Sequence, residues 1–411
     1  MNDKKLPKGW KLLPISEFGK IETGTTPSKA VSEYYGTEYP FYKPSDLDAG
    51  INVYKSIDGL TKFGVDKARY IPEETILITC IGATIGKTGF VKKGGGFNQQ
   101  INAIIPNNNS IPKYIYYQAI GLDFQKQIKY NASATTLPLL NKSKFQLLKM
   151  VSCPLETQQA IVSKIEELFS ELDKGIEDLK TALQQLKTYR QSVLKWAFEG
   201  KLTNENVKDG ELPKGWESVD LKEVCEIKRG KSKHRPRNAP ELYGGNYPFI
   251  QTGDIRAANG GYIKKYSQTY SKIGLAQSKL WPKGTLCITI AANIGETAIL
   301  DFDACFPDSV VGLLSKNEIL YNKYLNYFFI SFKQKLEEMA PATAQKNINV
   351  NILEKVNIPL APFEEQYKVI QEIESRLSVA DKMEESIAHS LLQAESLRQS
   401  ILKKAFSGEL V

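Results

Sequence analysis

The string that looks most ready for chemistry is Gly82-Ala83-Thr84-Ile85-Gly86-Lys87-Thr88. It carries the glycines, lysine and hydroxyl of a phosphate-cradling loop, but three residues separate its glycines where four are needed. Gly89-Phe90-Val91 follows and reads as a strand, where a phosphate loop requires a helix. A related string later in the chain, Ala291 to Ile299, puts Glu296 in the place of Lys87. Nucleotide binding is therefore set aside, and a tight turn between strands is the simpler reading. Other enzymatic chemistry lacks material. His234 and His389 are the two histidines, too few for a triad or a zinc site. Cys80, Cys153, Cys225, Cys287 and Cys305 are odd in number and contain no C-x-x-C pair, so they read as buried free thiols. The N/D-P-P-F/Y signature of amino-methyltransferases is absent, as is a glycine-rich cofactor loop after a strand. The expectation is a chain with no catalytic residue, metal or cofactor of its own.

What remains is recognition chemistry. Lys228, Arg229, Lys231, Lys233, Arg235 and Arg237 place six fixed positive charges within ten residues, with His234 among them. A solvated loop and a nucleic-acid contact both fit this segment; Arg235 and Arg237 are the favoured contacts. The whole chain carries +8 with a pI near 8.9, a modest excess compatible with a polyanionic partner. Earlier in the chain the corresponding stretch, Thr25, Thr26, Ser28 and Lys29, is shorter and less charged, which suggests hydrogen bonding over raw electrostatics. Asn98, Gln99 and Gln100 have the paired amides that match adenine's edge, or else they cap the turn before a strand. Lys43 and Ser45, with Gln251, Thr252 and Arg256 opposite them, are similar candidates. So are the turn tips Thr84, Lys87 and Asn293, and the polar loops 131–136 and 343–349, the latter with Gln345 and Lys346.

These candidates recur because the chain repeats. Residues 190–202, RQSVLKWAFEGKL, and 398–410, RQSILKKAFSGEL, are identical at nine of thirteen positions at a constant offset of 208. LPKGW occurs at 6–10 and 212–216; YPFYKPSDL (39–47) answers YPFIQTGDI (247–255), and FNQQINAI (97–104) answers FPDSVVGL (306–313). Asp173 and Asp381, like Arg190 and Arg398, also match at 208. Between the α+β stretches lie two segments of helical composition. Ile161, Ile165, Leu168, Leu172, Ile176, Leu179, Leu183, Leu186 and Val193 form one apolar seam; Ile370, Ile373, Leu377, Ala380, Ile387, Ala394, Leu397 and Ile401 form the other. One stripe on so long a helix needs a partner helix. The expected fold is α+β. Two recognition domains, 1–155 and 212–358, alternate with helical spacers 156–202 and 359–411, and 203–211 is a linker. A pseudo-twofold between the halves would make the helices antiparallel and bring the two chain ends together. Arg190, Gln191 and Lys195, with Arg398, Gln399 and Lys403, are repeated near the helix ends, either facing the helix dipole or offering a partner the same surface twice. No apolar run reaches the ~18 residues of a membrane span, and the first residues lead into a Pro-Gly turn, so a cytoplasmic protein is expected.

This ordered set, including G-T-T-P (24–27), the ATIGK string, Pro154-Leu155-Glu156-Thr157-Gln158-Gln159 and both RQS-[VI]-LK-x-AF-x-G ends, resembles the DNA-specificity subunits of type I restriction-modification systems. The resemblance covers nearly the whole chain. It implies two target-recognition domains, each reading half of a bipartite double-stranded DNA site in the major groove. The paired helices would act as spacer and as docking surface for two methyltransferase subunits, with restriction motor-nuclease subunits in the larger complex. Adenine-N6 methylation from S-adenosylmethionine, and any use of ATP and magnesium, would belong to those partners. The second unit departs from the pattern: it lacks G-T-T-P and has FPDSV in the FNQQI slot, which bears on its half-site. A stand-alone coiled-coil DNA-binding adaptor without methyltransferase partners is the other reading.

Overall fold

The computed structural model describes residues 6–133, 137–233, 236–291, 293–316, 319–340 and 347–411. The chain divides into two compact units, Met1–Lys180 with Ala388–Val411, and Thr181–Ile387. This division does not follow the expected domain boundaries. It cuts both long helices, so each unit keeps one α+β head and a piece of each helix.

In the first unit an antiparallel sheet runs in the order Gly19–Thr23, Ile101–Pro106, Ile76–Thr79, Thr88–Phe90. Strand alternation divides its side chains between two cores. Ile76, Ile78 and Ile104 face the helices Pro112–Ile120 and Leu122–Asn131, together with Ile161, Ile165 and Phe169 of the first long helix and Ile401, Leu402 and Ala405 of the second. Leu77, Ile101 and Ala103 face the other way, onto Tyr42, Leu47, Val53, Ile71, Val91 and Phe97. That second layer is a small sheet of Asp58–Leu60, Tyr35–Tyr42 and Gly96–Phe97, the last pair parallel.

The second unit repeats the plan. Its sheet runs Cys225–Arg229, Val310–Ser315, Leu286–Thr289, Thr297–Leu300, Tyr262–Ile263. Leu286, Ile288 and Leu313 pack on helix Asn322–Glu338 and on Leu194, Ala197, Phe198, Val369, Ile370 and Ile373 of the long helices. Cys287, Ala298 and Leu300 face Ile250, Ile255, Trp281 and Phe306.

The long helices are Leu155–Phe198 and Phe363–Ser407, 44 and 45 residues, or roughly 66 Å each at ~1.5 Å per residue. Within each unit their segments run antiparallel. In the second unit Arg190 meets Asp381 at 2.6 Å and Glu384 at 2.8 Å, while Leu194–Phe198 packs on Val369–Ile373. In the first, Arg398 pairs with Asp173 and lies 4.5 Å from the Phe169 ring centre, while Ile401–Ala405 packs on Ile161–Phe169. Both helices end alike. Gly200 (φ 76°) and Gly408 (φ 80°) are left-handed, and the next N–H closes back five residues, Lys201 to the Trp196 carbonyl at 2.8 Å and Glu409 to that of Lys404 at 3.0 Å. A β-carbon at Gly200 would overlap Pro213, and one at Gly408 would overlap Pro7. The expected meeting of residues near 6 and 408 is thus observed within the first unit.

Each helix is anchored to its head by a buried glutamine. Gln158 accepts from Ile111 N–H and donates to the Cys153 carbonyl, both at 2.9 Å. Gln366 accepts from Tyr321 N–H at 3.0 Å and donates to the Ile319 and Ala361 carbonyls at 2.8 and 2.9 Å. One seam expectation is corrected. Leu397 is 50% exposed, beside Leu172, Ile176 and Leu179 in a groove lined also by Gly175, whose missing side chain leaves the neighbouring space open.

Candidate nucleic-acid interface

In the first unit the sequence landmarks converge on one edge of the head. Gly24 N–H donates to the Ile101 carbonyl at 3.1 Å, Thr25 N–H to that of Phe97 at 3.0 Å, and Asn98 N–H to that of Tyr42 at 3.0 Å. Gly24 sits so close to the 97–98 backbone that no β-carbon fits, which explains the glycine before Thr25. The loop 24–29 is thereby fixed to the turn 97–100, and the exposed Thr26 hydroxyl donates to Gln99 Oε1. Asn98 is only 6% exposed; its amide donates to Gln100 Oε1 at 3.0 Å and its oxygen accepts from Gln100 N–H at 3.1 Å. Of the two readings of Asn98, these bonds are those of a side chain that closes the turn. Gln100 is half-buried beside Gly82, and Ser28 and Lys29 are exposed further along the loop. Lys43 is paired with Asp58, Lys87 with Asp48 at 2.7 Å, and Ser45 and Thr84 are exposed. The turn 82–88 leads into the strand Thr88–Phe90, and Gly86 is held by the Gln125 amide at 2.9 Å on its carbonyl.

The second head keeps the backbone and changes the side chains. Gly230 N–H donates to the Val310 carbonyl at 2.8 Å, and a β-carbon there would overlap the Phe306 and Pro307 carbonyls, as at Gly24. The slot of Gln99 is filled by Asp308, and Asp308 binds Arg237 through Nη2 at 2.8 and 3.0 Å. Arg229 donates to the Asp308 carbonyl. Lys233 N–H donates to Gln277 Oε1 at 2.6 Å and the Lys231 carbonyl accepts from Ser278 at 2.9 Å, so the basic segment is laid along the 277–279 turn. There Lys279 lies 3.9 Å from the Trp281 ring centre; burial, with Lys228 and Lys231 nearby, holds its ammonium below the usual lysine range. Where Lys43 meets Asp58 in the first head, Gln251 donates to Gln268 at 2.6 Å in the second. Thr252 opens the short helix Thr252–Ala258, with Arg256 exposed on it. Asn293 is exposed, and Glu296 pairs with Lys333 at 2.6 Å. His234, Arg235, Gln345 and Lys346 lie outside the described residues.

The family model for the type I restriction modification DNA specificity domain matches residues 7–181 and again 213–393. The chain belongs to that family. Each match spans one head and the first part of the long helix that follows it. A specificity subunit of a type I restriction enzyme (MjaVIII) from Methanocaldococcus jannaschii is 26% identical over 427 aligned residues, covering all of this chain and 95% of that protein. The HindI specificity subunit of Haemophilus influenzae is 32% identical over 177 residues, 42% of this chain and 38% of that protein. Among solved structures, a chain from work on assembly and conformational transition of the type I R-M system aligns with a TM-score of 0.73 at 20% identity over 99% of this chain and 100% of that one. The HsdS subunit from Thermoanaerobacter tengcongensis gives 0.66 at 19% identity, over 100% and 99%. These likenesses bear out the α+β fold with paired long helices.

As a specificity-domain protein, the chain carries its repeated helix-end residues in unequal settings. Arg190 and Arg398 are taken up by carboxylates on the facing helix, a third role beside dipole capping and docking. Gln399 accepts from Leu122 N–H at 3.2 Å, whereas Gln191, Lys195 and Lys403 are exposed. The five cysteines are free and buried, and burial pushes the thiols of Cys80 and Cys225 up to about 12. Among the described residues there is no cluster that would hold a metal and no helix long and apolar enough to cross a membrane. Sequence reasoning missed Asp48, Asp58, Gln268, Lys279 and above all Asp308. Its one signal was the FPDSV departure from FNQQI.

Proposed function

We propose that this chain is the DNA-reading subunit of a type I restriction-modification complex, with each head taking one half of a bipartite double-stranded site. The observation that carries the reading is the doubled head: the same loop-to-turn bridges recur on the same backbone, and their side-chain chemistry differs. An assembly that reads two different sequences with one architecture needs that division between fixed frame and variable contacts. The DNA-facing groups would be Thr25, Thr26, Ser28, Lys29, Lys43, Ser45, Thr84, Lys87, Gln99 and Gln100 in the first head. Lys231, Lys233, His234, Arg235, Arg237, Gln251, Thr252, Arg256, Asn293, Gln345 and Lys346 are their counterparts in the second. Gln191, Lys195 and Lys403 present the repeated surface to two methyltransferase subunits; Arg190, Arg398 and Gln399 hold that surface in place. The chain itself is non-catalytic, and S-adenosylmethionine, ATP and magnesium act on partner subunits, including the restriction motor-nuclease.

The test is exchange of residues 212–357 for the corresponding segment of another specificity subunit, co-expressed with the methyltransferase subunits, followed by sequencing of methylated adenines. One half of the methylated motif should change and the other stay. A change in both halves, or methylation by this chain alone, overturns the reading.

A further inference from the structure

We infer that Asp308 is a specificity-determining positioning residue: it holds Arg237 so that the guanidinium reads a guanine in the half-site of the second head. The inference rests on the function proposed above. Arg237 is anchored at both ends. Its carbonyl accepts from Tyr243 Oη at 2.6 Å, and its Nη2 reaches both oxygens of Asp308. Asp308 is itself fixed, since its carbonyl takes the Arg229 Nε–H and the preceding Pro307 is packed against Gly230. The Arg237 side chain remains 50% exposed. A guanidinium has five N–H donors, and with Nη2 taken by Asp308 the Nε–H and the two Nη1 hydrogens remain to be offered outward. Guanine presents two acceptors, O6 and N7, side by side in the major groove, and the two hydrogens of the Nη1 left free can meet them.

Stability alone gives this pair little purpose, because an exposed ion pair contributes only about 0–1 kcal/mol. Placing a carboxylate at a DNA-facing surface also opposes phosphate attraction, which disfavours binding at random sequence. The comparison within the chain points the same way. The equivalent slot of the first head is bridged by Thr26 and Gln99, a neutral pair, so the bridge is kept while its chemistry changes. The Lys43–Asp58 and Gln251–Gln268 bridges reverse this, charged in the first head and neutral in the second.

The test uses the full chain co-expressed with its methyltransferase subunits, reading the adenine methylome and the binding of the purified complex to specific and random duplexes. Asp308→Asn, nearly isosteric, should relax one G·C position of the second half-site, with discrimination there falling roughly 5- to 150-fold. The first half-site should be unchanged and binding to random DNA stronger. Arg237→Lys should relax the same position, and Asp308→Glu should restore selectivity in part. An unaltered motif, a uniform loss at all sites, relaxation in the first half-site or relaxation at an A·T position would overturn the inference. A wild-type complex that methylates no bipartite motif would instead overturn the functional reading beneath it.

Discussion

Gln158 and Gln366 do the same work 208 residues apart, each a buried amide stitching a helix start to the loop of its own head. Replacing Gln366 by Leu keeps much of the volume but removes the side-chain partner of Tyr321 N–H and of the Ile319 and Ala361 carbonyls, the last of them buried. Unsatisfied groups of this kind cost ~1–3 kcal/mol each, with partial relaxation, so a loss of about 2–4 kcal/mol is expected in urea unfolding. Gln191→Leu, on the exposed face, should stay within about 0.5 kcal/mol. At this scale the sequence was legible only in part. Gln158 stood in the quoted PLETQQ string, yet nothing in its type revealed its backbone partners at Ile111 and Cys153. The cross-loop pairs were less legible still, because Thr26 and Gln99 lie 73 positions apart and Arg237 and Asp308 lie 71 apart. Their chemistry also differs between copies, so the repeat that exposed the helices concealed the pairs.

The helices were the most legible elements, since an unbroken apolar seam and a terminal glycine are local signals. Their caps permit a direct comparison of glycines. Gly200→Ala and Gly408→Ala each force a side chain into left-handed backbone and onto Pro213 or Pro7; a loss of about 1–3 kcal/mol is expected. Gly175→Ala, mid-helix with open space around it, should instead stabilise by about 0.5–1 kcal/mol. Thermal unfolding of the three variants checks both signs. Leu397 shows where periodicity misleads: it falls on the seam by count but borders the gap at Gly175, so the facing helix covers it only in part. The strands were found as short apolar runs, but their division between two cores required the register to be seen.

At the scale of the whole molecule, each long helix passes without a break from one compact unit into the other. Adding one in-phase heptad to both lengthens each by ~10 Å, or roughly three base pairs at ~3.4 Å. If helix length sets the spacer, the methylated motif should gain about three spacer positions with both half-sites unaltered; an unchanged spacer in the methylome would refute that. The same passage of the helices has a consequence for synthesis. The second unit is one continuous stretch, Thr181–Ile387, whereas the first draws Ile401, Leu402 and Ala405 into its core from residues made after that entire stretch. On the ribosome the head that is translated first is therefore completed last. Its core stays open on one side until the closing turn at Gly408 reaches Pro7, and the later-made head has its full set of residues before then.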